Sequence, residues 1–152
     1  MTYTAAEARQ ELLDTIAEAT DELGAALAAL GAAYEQLDEQ SADRLEEQLF
    51  RPVQLAYGRA RRTHAGFAAR HGLPGRTFEP VAAGAPSHGV RGFLDIALSA
   101  VERADGGLAE LQDSMRPVEV GDAELRAGLA EVRELLAVLP DRARELLRRW
   151  GR

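Results

Sequence analysis

Apolar residues return every three or four positions along most of the chain, the signature of helices that bury one face. From Thr4 to about Glu39 the seam reads Leu13, Ile16, Thr20, Leu23, Leu27, Leu30, Tyr34 and Leu37. Thr4, with Glu7 three residues on, predicts a capping box at its start. Gly24 and Gly31 lie off the seam and each weakens the helix by ~1 kcal/mol relative to Ala, which the many alanines offset.

A second helix is predicted over about 41–71, with Ser41 as N-cap and Asp43 in its first turn. Its seam opens with Leu45 and Leu49 and continues as Phe50, Val53, Tyr57, Ala60, His64, Phe67 and His71. Pro52 lacks a backbone donor and crowds the preceding turn, so a kink or a restarted helix is expected where the seam changes phase. Gly72 supplies the stop. Residues 72–87, GLPGRTFEPVAAGAPS, hold three prolines and three glycines and read as a long loop. Its apolar residues Leu73, Phe78 and Val81 are suited to docking on the helices, as a lid or as a connection along them.

The third helix, about 88–115, is capped by Ser87. Its seam is Val90, Leu94, Ala97, Val101, Ala104, Leu108, Leu111 and Met115. Phe93, Ile96 and Leu98 fall off this seam and require cover, from the 72–87 loop or from a second subunit. The fourth helix, about 122–150, starts at Asp122 and Glu124. It buries Leu125, Leu129, Val132, Leu136, Leu139, Ala143, Leu146 and Trp150, with a kink at Pro140.

Four seams of matching length, each roughly 40 Å at 1.5 Å per residue, and two short connections predict an all-α fold. The expected architecture is an up-down-up-down, left-handed four-helix bundle. It forms a single domain over residues 1–152, with one long loop between the second and third helices.

Composition changes this picture in three ways. The chain of 152 residues carries a formal charge of -7, which weighs against a general polyanion binder, and no nucleic-acid recognition motif is present. All 18 basic residues are Arg, the better side chain for bidentate carboxylate or phosphate contacts, although a coding bias accounts for it as well. There is no cysteine, which removes disulfides, thiolate metal sites and cysteine nucleophiles. The first residues show no secretory pattern, and no run approaches the ~18 apolar residues of a membrane span. A cytoplasmic protein that does not enter membranes is expected.

The charge is also uneven. Between Gln48 and Phe78 there are six Arg and no Asp or Glu. In the predicted topology the second and fourth helices finish at one end. They bring Arg59, Arg61, Arg62 and Arg70 together with Arg142, Arg144, Arg148, Arg149 and Arg152, opposite an end rich in Glu35, Asp38, Glu39, Asp43, Glu46 and Glu47. That end predicts a patch for an anion or an acidic partner. The competing account is that these Arg complement helix C-termini and pair with Glu7, Glu11 and Asp14.

In the second helix the seam carries polar atoms at Tyr57, His64 and His71, and Thr20 stands in the seam of the first. Matching the helices turn by turn sets His64 level with Ile16, Thr20, Ala97 and Ala143. A small polar ligand site at Tyr57, His64, Thr20 and His71 is one reading; mutual hydrogen bonding inside the core is the other. His64 and His71 are two turns apart, ~10 Å, too far to share a metal. His88 adds only a second histidine at the expected His71 end. No nucleophile elbow, phosphate loop or dinucleotide fingerprint occurs, so neither a catalytic residue nor a cofactor is assigned. The expectation is a non-enzymatic helical protein acting through self-association or partner binding, by way of the Phe93, Ile96 and Leu98 face. The alternative is a binder of small polar or anionic ligands.

Overall fold

The computed structural model describes residues 4–79, 82–84 and 88–150, and among these the regular structure is all helical. Val81, Ser87 and Arg152, expected above as a docking residue, a helix cap and part of the basic end, lie outside the described residues. Helix α1 spans Ala5–Glu35, and the Thr4 hydroxyl accepts from the Glu7 N–H at 3.0 Å. It stops four residues short of the predicted end because Asp38 takes over as a cap. The Asp38 carboxylate accepts the Ser41 N–H at 2.9 Å and starts α2, Glu39–Leu45. Ser41, expected as the cap, lies inside that helix. A charged acceptor on the Ser41 amide is the stronger cap, and the same bond holds the Asp38 carboxyl below its usual range.

A π-helical turn, Glu46–Phe50, follows, and then α3, Arg51–Arg70. The phase change at Pro52 is this turn. Leu45, Leu49 and Val53 are all buried at successive steps of four, with Phe50 only partly so. The Arg51 N–H reaches back five residues to the Glu46 carbonyl. In an α-helix the Gln48 carbonyl would accept from residue 52, which is proline; here the Arg142 guanidinium donates to it at 3.2 Å. Helix α3 ends in a Schellman motif. Gly72 sits at φ +64°, and the Leu73 and Gly72 N–H groups bond to the Ala68 and Ala69 carbonyls at 2.8 and 3.4 Å.

The second half contains α4, Gly89–Asp113, a single turn α5, Arg116–Glu119, then α6, Ala123–Ala137, and α7, Leu139–Trp150. Asp122 caps α6 through the Leu125 N–H at 2.8 Å, and the break before Pro140 separates α6 from α7. Met115, predicted as the last seam residue of the third helix, instead leaves the helix at φ 66° and is 50% exposed.

Side-chain pairs between the helices fix their directions. Glu22 meets Arg103 at 2.8 Å and Glu11 meets Arg116 at 2.6 Å, so α4 runs antiparallel to α1. Arg59 meets Glu131 at 2.5 Å, Arg70 meets Asp122 at 2.8 Å, and Arg142 reaches Gln48. The α6–α7 rod therefore runs antiparallel to the α2–α3 rod. An up-down-up-down order requires both pairs to be parallel, so the order observed is up-down-down-up. The connection after α3 returns along the length of the molecule: Arg76 pairs with Asp21 at 2.9 Å, midway along α1. Helix α1 packs chiefly on α4 and α3, and α3 on α6. At the α3–α6 crossing a Cβ on Gly128 would fall 2.2 Å from Thr63 Oγ1, so only glycine fits there.

This direction corrects two expectations about surfaces. Arg70 lies at one end of the molecule, whereas Arg148 and Arg149 lie at the other, near Arg44 and Glu47. One shared basic end does not form. The off-seam face of the third helix is also largely covered within the chain: Phe93 is 1% exposed, and Ile96 and Leu98 are half-buried against the core. Gly84 of the connection is close enough that a Cβ on it would touch Ile96. Among the described residues, no helix is long and apolar enough to cross a membrane.

Candidate functional site

Helix α3 carries its polar seam residues to three separate environments. Tyr57 is half-buried with its ring against Gly24 of α1, and the Arg61 guanidinium lies 5.4 Å from that ring. Thr20 is fully buried, and its hydroxyl donates to the Ile16 carbonyl of its own helix at 2.7 Å. It is therefore satisfied without Tyr57 or His64. His71, at the end of α3, bonds through Nε2 to Asp122 at 3.0 Å.

His64 is 3% exposed, and its Nδ1 has no hydrogen-bond partner. The ring of Phe78 stands edge-on to it at 5.4 Å, and Arg76 covers Phe78 at 4.7 Å from its centroid. Burial lowers the His64 pKa, the Arg76 charge lowers it further, and Asp14 opposes both. The imidazole is neutral at pH 7. The pairings above set His64 beside the first half of α6, near Gly128, and not beside Ala143. Ala97 and Ala143 line a separate apolar void of about 10 Å³ with Leu30, Val53 and Leu94, barely the size of one water. His88 stands at the far end from His71, edge-on to Phe93.

Beyond Arg51, which lines a separate cleft with Leu55, the arginines of α3 divide into two sets. Arg70 forms a fork on Asp122 at 2.8 and 2.9 Å and also reaches Glu124 at 2.7 Å. Arg70 holds the Asp122 carboxyl well below the carboxylate range against the opposing effect of burial, with help from the Leu125 N–H and His71. Arg59 is held by Glu131. At the other end of the molecule Arg148 and Arg149 both pair with Glu145 of their own helix. Among the described residues, Arg61 and Arg62 have no carboxylate partner. They are exposed and line an open cleft of about 600 Å³ with Gly58, Ala65, Arg76, Thr77 and Phe78. One wall is α3 and the other is the returning connection.

Two further clefts flank the α2–α3 rod. One, about 550 Å³, has balanced charges: Arg44, Arg142 and Arg149 against Glu47, Asp141 and Glu145. The other, about 490 Å³, places Leu55, Pro52, Leu135 and Val138 among Glu47, Glu131 and Glu134 on one hand and Arg51 and Arg142 on the other. Leu55 is 56% exposed and Val138 43%. Neither Leu55 nor Asp122 was singled out as a site residue from the sequence. The signal for Asp122 was the acid cluster at the start of the fourth helix, which matches the acid-free end of the second. Among the described residues no group of three His, Cys, Asp or Glu is placed to hold a metal ion. No family of proteins, no curated protein and no solved structure matches this chain.

Proposed function

We propose that this is a non-enzymatic helical protein that acts by association, with the Arg61–Arg62 face of α3 receiving carboxylates of an acidic partner. The observation that carries this is the division of the α3 arginines. Arg59 and Arg70 are neutralised by α6 and its cap, whereas Arg61 and Arg62 face an open cleft with no described acid to meet them. Guanidinium groups are suited to bidentate carboxylate contacts. The cleft is lined mainly by exposed side chains, which fits a macromolecular partner better than an enclosed small molecule. The lack of cysteine supports a cytoplasmic setting.

The test is an NMR titration with a poly-glutamate peptide. Amides of residues 58–65 and 76–78 shift, binding weakens with salt, and the Arg61→Ala/Arg62→Ala pair weakens it by about tenfold or more, ~1.4 kcal/mol. A peptide that binds the double variant as well as the parent overturns the reading. A second reading, a small polar ligand at His64, rests on the unpaired Nδ1. It requires Phe78 to move aside, and a ligand-induced shift of the His64 imidazole resonances is its test.

A further inference from the structure

The acid-free α3 stripe has a matching acid on its own rod. Glu47, Arg51, Leu55, Gly58, Arg62 and Ala65 recur at steps of three and four along the outer surface, with Arg44 beyond the π-helical turn. Glu47 borders both the mixed-charge cleft and the Leu55 groove, so it stands on the ridge between them. Among the described residues neither Glu47, Arg51 nor Arg62 makes an ion pair within the chain.

We infer that the partner is a second copy of this chain, docked along α2–α3 about a two-fold axis beside Leu55. This rests on the reading of Arg61 and Arg62 as carboxylate receivers, and it names the source of the carboxylate. In an antiparallel pairing centred between Gln54 and Leu55, Glu47 of each copy lies opposite Arg62 of the other. Arg51 lies opposite Gly58 and Arg44 opposite Ala65, so along this stripe each long basic stem crosses a small residue and no like charges are paired. Sliding the copies by three or four residues sets Arg44 or Arg51 against Arg62. The charges therefore choose one register. The two Leu55 side chains meet at the axis, and the apolar surface they share with Pro52, Leu135 and Val138 loses water. Only a helix with an acid at its start and arginines two turns past its centre is self-complementary in this way.

Sedimentation velocity and light scattering on the full chain test this, with helix content followed by circular dichroism. The parent is a dimer at about 100 μM, and its dissociation is concentration-dependent. Glu47→Arg and Arg62→Glu are each monomeric with unchanged helicity. Mixed in equal amounts they form a heterodimer, because a copy with two arginines then faces a copy with two glutamates. A parent that stays monomeric, a dimer that survives both substitutions, or a mixture that stays monomeric overturns the inference. If the parent is monomeric yet poly-glutamate still shifts the Arg61 and Arg62 region, the acidic-partner reading stands and only the second copy falls. If the peptide is ignored as well, both fall.

Discussion

His64 is a neutral imidazole with an unbonded Nδ1 inside an apolar setting. A buried polar atom left unpaired costs about 1–3 kcal/mol. His64→Leu is therefore expected to raise stability at pH 7 by ~1 kcal/mol in urea unfolding at matched protein concentration. The same substitution removes a pH dependence. The folded pKa of His64 lies below its unfolded value near 6.5. Well above pH 6.5 neither state is charged and His64 contributes no slope. As pH falls through this value the unfolded chain takes up the proton first, and stability drops until the folded pKa is reached. The parent thus loses more stability than His64→Leu as pH falls from 7 to 5. Equal slopes for the two proteins would show that another group carries the effect. The seam position of His64 was legible from the three-four spacing. Its isolation was not, because Thr20 turned its hydroxyl to its own helix and Phe78 arrived from a loop whose path no periodicity describes.

At the scale of the element, the π-helical turn and Pro52 form one device with Arg142. Proline at 52 denies the Gln48 carbonyl its helical donor, the widened turn relieves the ring, and α7 supplies the missing hydrogen bond. The two residues should then be coupled. Arg142→Met leaves the carbonyl unpaired and costs ~1–2 kcal/mol. In a Pro52→Ala background an amide is available at residue 52, and the cost of Arg142→Met shrinks by ~1 kcal/mol in a double-mutant cycle read by thermal or urea unfolding. Additive costs would show that the guanidinium does not stand in for the absent N–H. The break at Pro52 and the phase slip from Leu49 to Val53 were visible in the sequence. The turn type and the partner ninety residues away were not, since local pattern holds no record of what packs across.

At the scale of the molecule, the helices were legible and their directions were not. Seam length and spacing are unchanged when a helix is reversed. A 16-residue connection of ~3.3 Å per residue reaches either end of a 40 Å rod. The deciding information was in the charges: Arg59 and Arg70 find Glu131 and Asp122 only if the fourth rod runs against the second. The absence of cysteine makes this directly measurable with paired spin labels. Labels at Arg70→Cys and Arg148→Cys are expected roughly 40 Å apart by pulsed electron resonance, the length of the α6–α7 rod at 1.5 Å per residue. A separation under ~20 Å would restore the shared end.

The returning connection also divides the chain into two helical hairpins, α1 with α2–α3 and α4 with α6–α7. Each closes over a short turn, so its contacts are cheap in chain entropy. The α1–α4 and α3–α6 interfaces join residues about 50 to 110 positions apart, so the most extensive packing in the molecule lies between the hairpins. Loop-closure cost grows only logarithmically with length. The junction between the hairpins is accordingly where a change of length costs least in chain entropy, outside the docked residues Arg76 and Phe78, while the tight turns at Asp38 and Asp122 admit no such drift.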